Sequence, residues 1–180
     1  MSIKRIYKLL LLFMALSIIP THPLCAAQLD EYQVKAVFVL NFCKLSEWPK
    51  DAITDKGTFP IAIIGKVPSP AFERTLKGQL VHGARVTILH INETEEAKGC
   101  RLVYIAPSER HQLSRILREL RQMNVLTVSD IEDFCDSGGM IGLLTDQNKI
   151  NFEVNLAAVR SVRINVSSRL LQLAKDVYGN

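Results

Sequence analysis

The sequence lacks the short motifs that mark the common nucleotide-binding and catalytic folds. It contains no Gly-x-Gly-x-x-Gly loop, no Gly-Lys-Ser/Thr loop and no Gly-x-Ser-x-Gly elbow. No Cys-x-x-Cys pair occurs, so neither a zinc ribbon nor a thioredoxin-like redox pair is supported. The three histidines beyond the N-terminal segment, His82, His90 and His111, are not at helical metal-ligand spacing from one another. These absences favour a non-enzymatic protein with no metal and no cofactor.

The first 27 residues have the composition of a secretory signal peptide. Basic residues precede the apolar run Leu9–Ile19, and Cys25-Ala26-Ala27 supplies small residues at the cleavage positions. The run is short of the roughly 20 residues that a membrane span needs. We therefore expect an exported protein with a cleavable signal peptide over residues 1–27. No internal repeat or linker divides residues 28–180, which predicts a single domain there.

Neither sign of charge dominates the predicted mature chain. The whole sequence has 22 Lys and Arg against 18 Asp and Glu, a net charge of +4. Three of the basic residues and none of the acidic ones lie within the first 27, so 19 remain against 18 and the net charge falls to +1. No positive field is left that would indicate nucleic acid or an anionic lipid as the partner.

Cysteine is scarce, and an odd number remains after the predicted cleavage. Cys43, Cys100 and Cys135 stay in the mature chain, so at least one sulfur is unpaired within a monomer. Cys43 lies in an apolar helical segment and is typical of a small buried hydrophobe. The other two are expected at opposite edges of a parallel sheet, which favours no disulfide between them.

Strands and helices alternate through the middle of the chain. Apolar runs bounded by turn-forming residues predict four strands: Phe59–Ile64, Arg85–His90, Leu102–Ala106 and Val125–Ser129. Helices are predicted over Asp30–Trp48, from Pro70 to Lys77, and after Ser108, where Leu113, Ile116, Leu117 and Leu120 recur at helical spacing. This alternation predicts an α/β fold of three layers, a mostly parallel sheet with helices on both faces.

A β-hairpin is expected near the C-terminus. Met140–Leu144 and Ile150–Val154 are short apolar runs separated by a polar, turn-forming linker. Two short helices are predicted after it, Leu156–Arg160 capped by Asn155 and Ser168–Val177 capped by Ser167. The hairpin therefore adds an antiparallel edge to the parallel sheet.

Two strand ends could carry chemistry, and each also has a structural interpretation. Gly65-Lys66 follows the first strand and could attract an anion, but a simple turn is the favoured interpretation. Ser129-Asp130 follows the fourth strand without an accompanying base, so a helix cap is favoured over a hydrolase site.

Five short motifs spread over nearly all of the predicted mature chain carry a family resemblance. They are Asn41-Phe42-x-Lys44 with Glu47-Trp48-Pro49, Val125–Asp130, Gly138–Ile141, Phe152–Leu156 and Ser167–Leu171. In order and spacing they resemble the YfiR-like family of periplasmic proteins. The resemblance implies a periplasmic protein that represses an inner-membrane diguanylate cyclase by binding its periplasmic sensor part. Such a protein controls cyclic di-GMP signalling and biofilm growth.

Glu153 is the charged residue that the sequence singles out as a site. It alternates with Phe152 and Val154, so it faces away from the side on which they pack. An ion pair with Arg169 that fixes the last helix is the favoured interpretation. The functional alternative places Glu153 in a ligand- or partner-binding site with the arginines Arg160, Arg163 and Arg169. In that case the protein would be a periplasmic small-molecule binding module for an amphoteric ligand.

The first predicted helix is apolar around most of its circumference. One sheet face covers only part of such a helix, which leaves a surface for a partner. We therefore expect a homodimer, with Phe38, Phe42 and Trp48 on the dimer or partner surface.

Overall fold

The computed structural model describes residues 30–49, 57–147 and 149–179, so the predicted signal peptide lies outside the described residues. Five α-helices are described: α1 (Glu31–Lys44), α2 (Ala71–Leu76), α3 (Leu113–Leu120), α4 (Leu156–Ser161) and α5 (Ser168–Leu173). Two 3-10 helices cover Thr94–Ala97 and Pro107–Gln112. Ten strands are described: β1 (Ser46–Glu47), β2 (Thr58–Ile64), β3 (Leu80–Val81), β4 (Ala84–Ile91), β5 (Leu102–Ile105), β6 (Leu126–Ser129), β7 (Ile141–Asp146), β8 (Lys149–Asn155), β9 (Asn165–Val166) and β10 (Asp176–Tyr178).

Eight of these strands form one mostly parallel sheet. Their order is β10-β8-β7-β6-β5-β2-β4-β3, with antiparallel pairs only between β7 and β8 and between β3 and β4. The remaining two strands, β1 and β9, pair antiparallel in a separate small sheet. The predicted α/β class, the parallel sheet and the C-terminal antiparallel hairpin are confirmed.

Side chains from the sheet alternate between two apolar cores, one on each face. Ile61 and Ile63 of β2 join the core that also contains Val39 and Phe42 of α1. Ala62 and Ile64 of the same strand enter the other core, which is covered by α3. This division follows from the two-residue period of a strand and gives the three predicted layers.

Helix α1 begins where the sequence predicts and ends one turn earlier. The side chain of Asp30 accepts a hydrogen bond from the Tyr32 N–H at 2.8 Å, so it caps the helix. The helix ends at Lys44 because Ser46 and Glu47 leave the helical path and pair with Val166 and Asn165. The predicted extension to Trp48 is therefore wrong by one turn.

The C-terminal segment differs from the prediction at its last helix. Asn155 and Ser167 cap α4 and α5 as predicted, since each side chain accepts from a backbone N–H three residues on. Helix α5 stops at Leu173, however, and Asp176–Tyr178 pairs in parallel with β8 as strand β10. The outer edge of β8 needs backbone partners, and the valine and tyrosine of this segment favour a strand.

The cysteines and the helix lengths bear on two further expectations from the sequence. Cys43, Cys100 and Cys135 are buried free thiols, in agreement with the expectation of no disulfide. Burial raises the pKa of all three thiols. Within the described part of the chain, no helix is long and apolar enough to cross a membrane.

Candidate functional site: an apolar cleft with a cationic rim

The predicted site residues of strand β8 and helix α5 lie on opposite faces of the sheet. Phe152 faces α1, with its ring centroid 4.9 Å from that of Phe42. Glu153 points to the other face, as its alternation with Phe152 predicts. Arg169 lies on the Phe152 side, where both residues line the same cleft. The predicted ion pair between Glu153 and Arg169 is therefore wrong, because the sheet separates the two side chains.

Glu153 has a hydroxyl as its partner instead of a guanidinium. The Tyr178 hydroxyl donates to Glu153 Oε2 at 3.0 Å from the neighbouring strand β10. This hydrogen bond raises the pKa of Tyr178 to about 12, because the carboxylate favours the protonated phenol. Gly142 on β7 leaves room for the carboxylate, since a Cβ there would lie 2.8 Å from Glu153 Oε1. Glu153 thus ties the last strand to the sheet.

The other two predicted arginines do not join this carboxylate in a site. Arg160 is exposed in the last turn of α4. Arg163 is exposed just after that helix, in a backbone conformation with a φ of 57°. Neither lines the cleft that contains Arg169. Their assignment to a ligand or partner site stays a prediction. The fold does not bring these two arginines together with Glu153 or with the cleft.

A cleft of about 530 Å³ opens between α1, β8 and α5. Its apolar lining consists of Phe38, Phe42, Leu45, Ile150, Phe152, Leu170 and Leu173. Three of these rings form one cluster, with Phe38 6.2 Å from Phe42 and 6.0 Å from Phe152 between centroids. Leu173 is 65% exposed at the edge of the cleft. Clefts of this volume with aromatic linings are common binding sites in proteins.

The rim of the cleft is cationic. Lys44 is the last residue of α1, Arg169 lies in the first turn of α5, and both are exposed. Neither has a carboxylate within 4.0 Å among the described residues. Asn41 and Asn151 add amide groups to the lining, and no acidic residue of the described ranges belongs to it. Within the part of the chain that the structure describes, the cleft therefore combines an apolar floor with two positive charges that have no carboxylate partner.

The residues predicted for a dimer or partner surface have different surroundings in the fold. Phe38 and Phe42 both line the cleft, although Phe42 is only 1% exposed. Trp48 packs edge to face on Phe59, and its indole N–H donates to the Arg101 carbonyl at 2.9 Å. Phe38 and the cleft remain available to a partner, whereas Trp48 is used within the chain.

A buried polar cluster, which the sequence patterns do not predict, joins α1 to the carboxyl ends of the central strands. Lys35 Nζ lies 2.6 Å from Asp130 Oδ2, and both side chains are about 95% buried, at 4% and 5% exposure. Tyr104 and Tyr32 donate their hydroxyls to Asp130 at 2.6 and 2.8 Å. Glu31 contacts the same ammonium at 2.6 Å. The sequence signal for this cluster is Lys35, a lysine among the apolar residues of α1. A buried ammonium requires a carboxylate partner, so this lysine indicates a buried acidic residue elsewhere in the chain.

The electrostatics of this cluster shift the pKa values of its members. Burial and the Asp130 carboxylate raise the pKa of both Tyr104 and Tyr32, because they oppose a second negative charge. The hydrogen bond from Lys35 lowers the pKa of Glu31. Every charged group of the cluster is therefore satisfied within the fold, which is typical of a structural element.

The other sequence candidates have structural roles. Ser129 donates its hydroxyl to the Ile105 carbonyl at 2.7 Å and accepts from the Ile131 N–H at 3.0 Å, which is a local cap. The chain bends at Gly65, which has a φ of 85°, and the Lys66 N–H donates to Ser108 Oγ at 2.9 Å, so this backbone donor is used within the fold. Across residues 30–49, 57–147 and 149–179, no group of three His, Cys, Asp or Glu is placed to hold a metal ion.

Fold and cleft together define an α/β domain with an apolar cleft and a cationic rim. Comparison with protein families then assigns it more closely. The chain belongs to the YfiR/HmsC-like family, whose model matches residues 32–175. This family comprises periplasmic regulators of diguanylate cyclase signalling that act without catalysis.

The fold also occurs in a solved structure with little sequence similarity. The crystal structure of a conserved domain protein from Vibrio cholerae O1 biovar El Tor str. N16961 superposes with a TM-score of 0.56 at 9% identity. The match covers 81% of this chain and 60% of that chain. At this identity the likeness shows the fold alone. No curated protein matches the sequence.

Proposed function

We propose that the protein represses an inner-membrane diguanylate cyclase by binding the cyclase's periplasmic sensor part in the cleft between α1, β8 and α5. The observation that carries this proposal is a pair of cations, Lys44 and Arg169, with no carboxylate partner among the described residues, beside an aromatic floor in a chain of the YfiR/HmsC-like family. Such a cleft fits an amphipathic segment that has apolar side chains on one face and a carboxylate beside them.

Repression would follow if the protein binds the inactive arrangement of the cyclase more tightly than the active one. The protein would stabilise the inactive arrangement of the cyclase, and the effect is limited by its differential affinity for the two arrangements. Release of the protein would raise cyclic di-GMP. The same chain would thus regulate biofilm growth from the periplasm.

The test compares two charge reversals in cells that express the partner cyclase. Arg169→Glu places a negative charge at the rim of the cleft, whereas Arg118→Glu makes the same change on exposed α3, on the other face of the sheet. We expect Arg169→Glu to raise cyclic di-GMP to the level of a gene deletion and Arg118→Glu to leave it low. Both proteins should accumulate normally in the periplasm. Full repression by a stable Arg169→Glu protein would contradict docking at the cleft, and an unchanged cyclic di-GMP level in the deletion strain would contradict repression itself.

A small-molecule binding module is the second candidate, and the same cleft favours a different ligand from the amphoteric one that the sequence suggests. Among the described residues the cleft has two cations and no carboxylate in its lining, while Glu153 lies across the sheet. It would therefore bind an apolar monoanion better than a zwitterion. Calorimetry with decanoate and with decylamine checks this, and binding of the amine alone would rule it out.

A further inference from the structure

Strand β8 is covered along its outer edge only over its second half. Strand β10 pairs in parallel with residues 153–155, and the Lys175 N–H donates to the Phe152 carbonyl at 2.8 Å. On the inner edge, β7 pairs with β8 all the way from Lys149 to Val154. Before Phe152, no described segment pairs with the outer edge of β8.

The backbone groups left open can be identified from the alternation of the strand. The Asn155 N–H donates to the Met140 carbonyl at 2.8 Å, so residues 155, 153 and 151 direct their backbone groups toward β7. Ile150 and Phe152 direct theirs to the outer edge, where the Phe152 carbonyl meets Lys175. The Ile150 N–H, the Ile150 carbonyl and the Phe152 N–H remain, and they are here named the open edge of β8.

The cleft between α1, β8 and α5 meets β8 along this open edge. Ile150 and Phe152 place their side chains on one face of the sheet, and Asn151 places its side chain on the other. All three consecutive residues nevertheless line the cleft. A cavity over one face contacts the side chains of alternate residues, so the contact with Asn151 places this cleft at the edge of the strand. The open backbone groups and the cationic rim therefore belong to one surface.

We propose that the partner segment binds in this cleft as an added β-strand along the open edge of β8. This inference rests on the proposed function, since the occupant is the acidic segment of the cyclase's periplasmic sensor part. Every second side chain of an extended segment points to the same face, so residues i and i+2 of the partner pack on Phe38 and Phe152. The backbone of the segment binds the open groups of Ile150 and Phe152.

The open backbone groups favour a strand over a helix as the bound form. A helix bonds its own N–H and carbonyl groups internally, so it would cover the Ile150 and Phe152 groups without pairing them. An extended segment brings unpaired groups of its own. Lys44 and Arg169, which have no carboxylate within 4.0 Å among the described residues, favour an acidic side chain on that segment.

Amide hydrogen exchange of the exported chain, followed by NMR, tests the open edge without a partner. The Asn151 and Glu153 N–H groups face β7, whereas the Ile150 N–H faces the open edge. We expect the Ile150 amide to exchange on the order of 100-fold faster than those of Asn151 and Glu153. Slow exchange at Ile150 would show that the edge is already covered, and it overturns the proposal.

The same measurement in the presence of the cyclase's periplasmic sensor part tests the pairing itself. Exchange at Ile150 and Phe152 should slow by at least about tenfold. The control is the Ile88 amide, which has no strand partner on its side of β4 among the described residues and lies near the opposite end of the sheet. Its rate should not change. Binding of the sensor part without protection at Ile150 overturns the proposal, whatever the variants below show.

Ile150→Pro tests the pairing in cells, with Ile150→Val as the matched control. Proline removes an N–H that the fold does not use, and edge strands tolerate it at such positions, whereas valine keeps the N–H and a branched apolar side chain. With circular dichroism to check folding, we expect Ile150→Pro to raise cyclic di-GMP to the level of Arg169→Glu and Ile150→Val to keep it low. Repression by a folded Ile150→Pro but not by Arg169→Glu overturns strand pairing and leaves docking at the cleft intact. Repression by both variants contradicts docking at the cleft, and this inference falls with it.

Discussion

Helix α1 carries two lysines whose surroundings are opposite. Lys35 is buried against Asp130, with Glu31 at 2.6 Å and a tyrosine ring 4.5 Å from its ammonium. Lys44, at the end of the same helix, is exposed beside the apolar cleft without a carboxylate within 4.0 Å in the described part of the chain. The ammonium of Lys35 is paired within the fold, whereas the ammonium of Lys44 is accessible to a partner.

The contrast separates residues that keep the domain folded from residues that let it bind. A buried ammonium and carboxylate lose their hydration, so each depends on the other. An exposed cation keeps its hydration and contributes little to folding. The buried polar cluster should therefore govern stability, and Lys44 and Arg169 should govern partner binding.

The largest expected effect is that of Asp130→Ala. This change removes the acceptor of Tyr32 and Tyr104 and leaves Lys35 without its buried carboxylate partner, with only the half-exposed Glu31 beside it. Loss of one partner of a buried pair typically costs about 3–5 kcal/mol. Urea denaturation should show a loss of this size, and Asp136→Ala, at an exposed position, should cost less than about 0.5 kcal/mol. A loss below about 1 kcal/mol for Asp130→Ala would remove the distinction between the two lysines.

The next effect concerns alkaline pH and Tyr104→Phe. The pKa of Tyr104 is raised in the folded state above its ordinary value of 10.0, so the folded protein keeps a proton that the unfolded chain loses. Stability should therefore be complete below pH 10 and fall as the pH rises above it, by up to about 1.4 kcal/mol per pH unit for one tyrosine. Tyr104→Phe should cost about 1–3 kcal/mol at neutral pH through the unpaired carboxylate oxygen.

The alkaline slope distinguishes the titration of Tyr104 from its packing. In Tyr104→Phe the free energy of unfolding should fall less steeply between pH 10 and pH 12 than in the wild type. Phe72→Leu is the control, since this ring packs 4.4 Å from the Tyr104 ring between centroids and carries no titratable group. Equal slopes in the wild type and in Tyr104→Phe would show that Tyr104 does not contribute to the pH dependence.

Sequence periodicity predicts the helices and strands well, because these elements depend on residues that are close in sequence. Polar contacts between residues far apart in sequence cannot be predicted in this way. The strands from Phe59 to Val154 and the caps at Asn155 and Ser167 follow from residues within a few positions of each other. Lys35 and Asp130 are 95 positions apart, so their contact depends on how α1 crosses the sheet. The cleft could not be predicted either, because α1, β8 and α5, which line it, are far apart in sequence and meet only in the folded chain. Glu153 faces the predicted way, but which face α5 covers could not be read from spacing.

A smaller effect is expected for Glu153→Gln, which changes the pKa of Tyr178. This variant tests whether Glu153, on the face of β8 opposite the cleft, is paired within the fold as Lys35 is. The carboxylate raises the pKa of Tyr178 to about 12 through one hydrogen bond. Glutamine keeps an oxygen acceptor but removes the negative charge, so the pKa of Tyr178 should move back toward 10.0. Absorbance at alkaline pH measures this titration, with Tyr178→Phe to identify the signal. An unchanged tyrosine titration would mean that Tyr178 does not contact Glu153 in solution.

The smallest effect on folding is expected for the double variant Lys44→Ala and Arg169→Ala, which removes both cations from the rim of the cleft. Because both side chains are exposed and unpaired among the described residues, the free energy of unfolding should change by less than about 0.5 kcal/mol. Repression of the cyclase should nevertheless fail, since the cleft would bind an acidic partner segment without its charges. Urea denaturation and cyclic di-GMP measured on the same variant compare the two outcomes directly. If the double variant lost as much stability as Asp130→Ala, the cations would belong to the fold. If it kept both stability and repression, they would serve neither folding nor binding, and the contrast between the two ends of α1 would have no functional meaning.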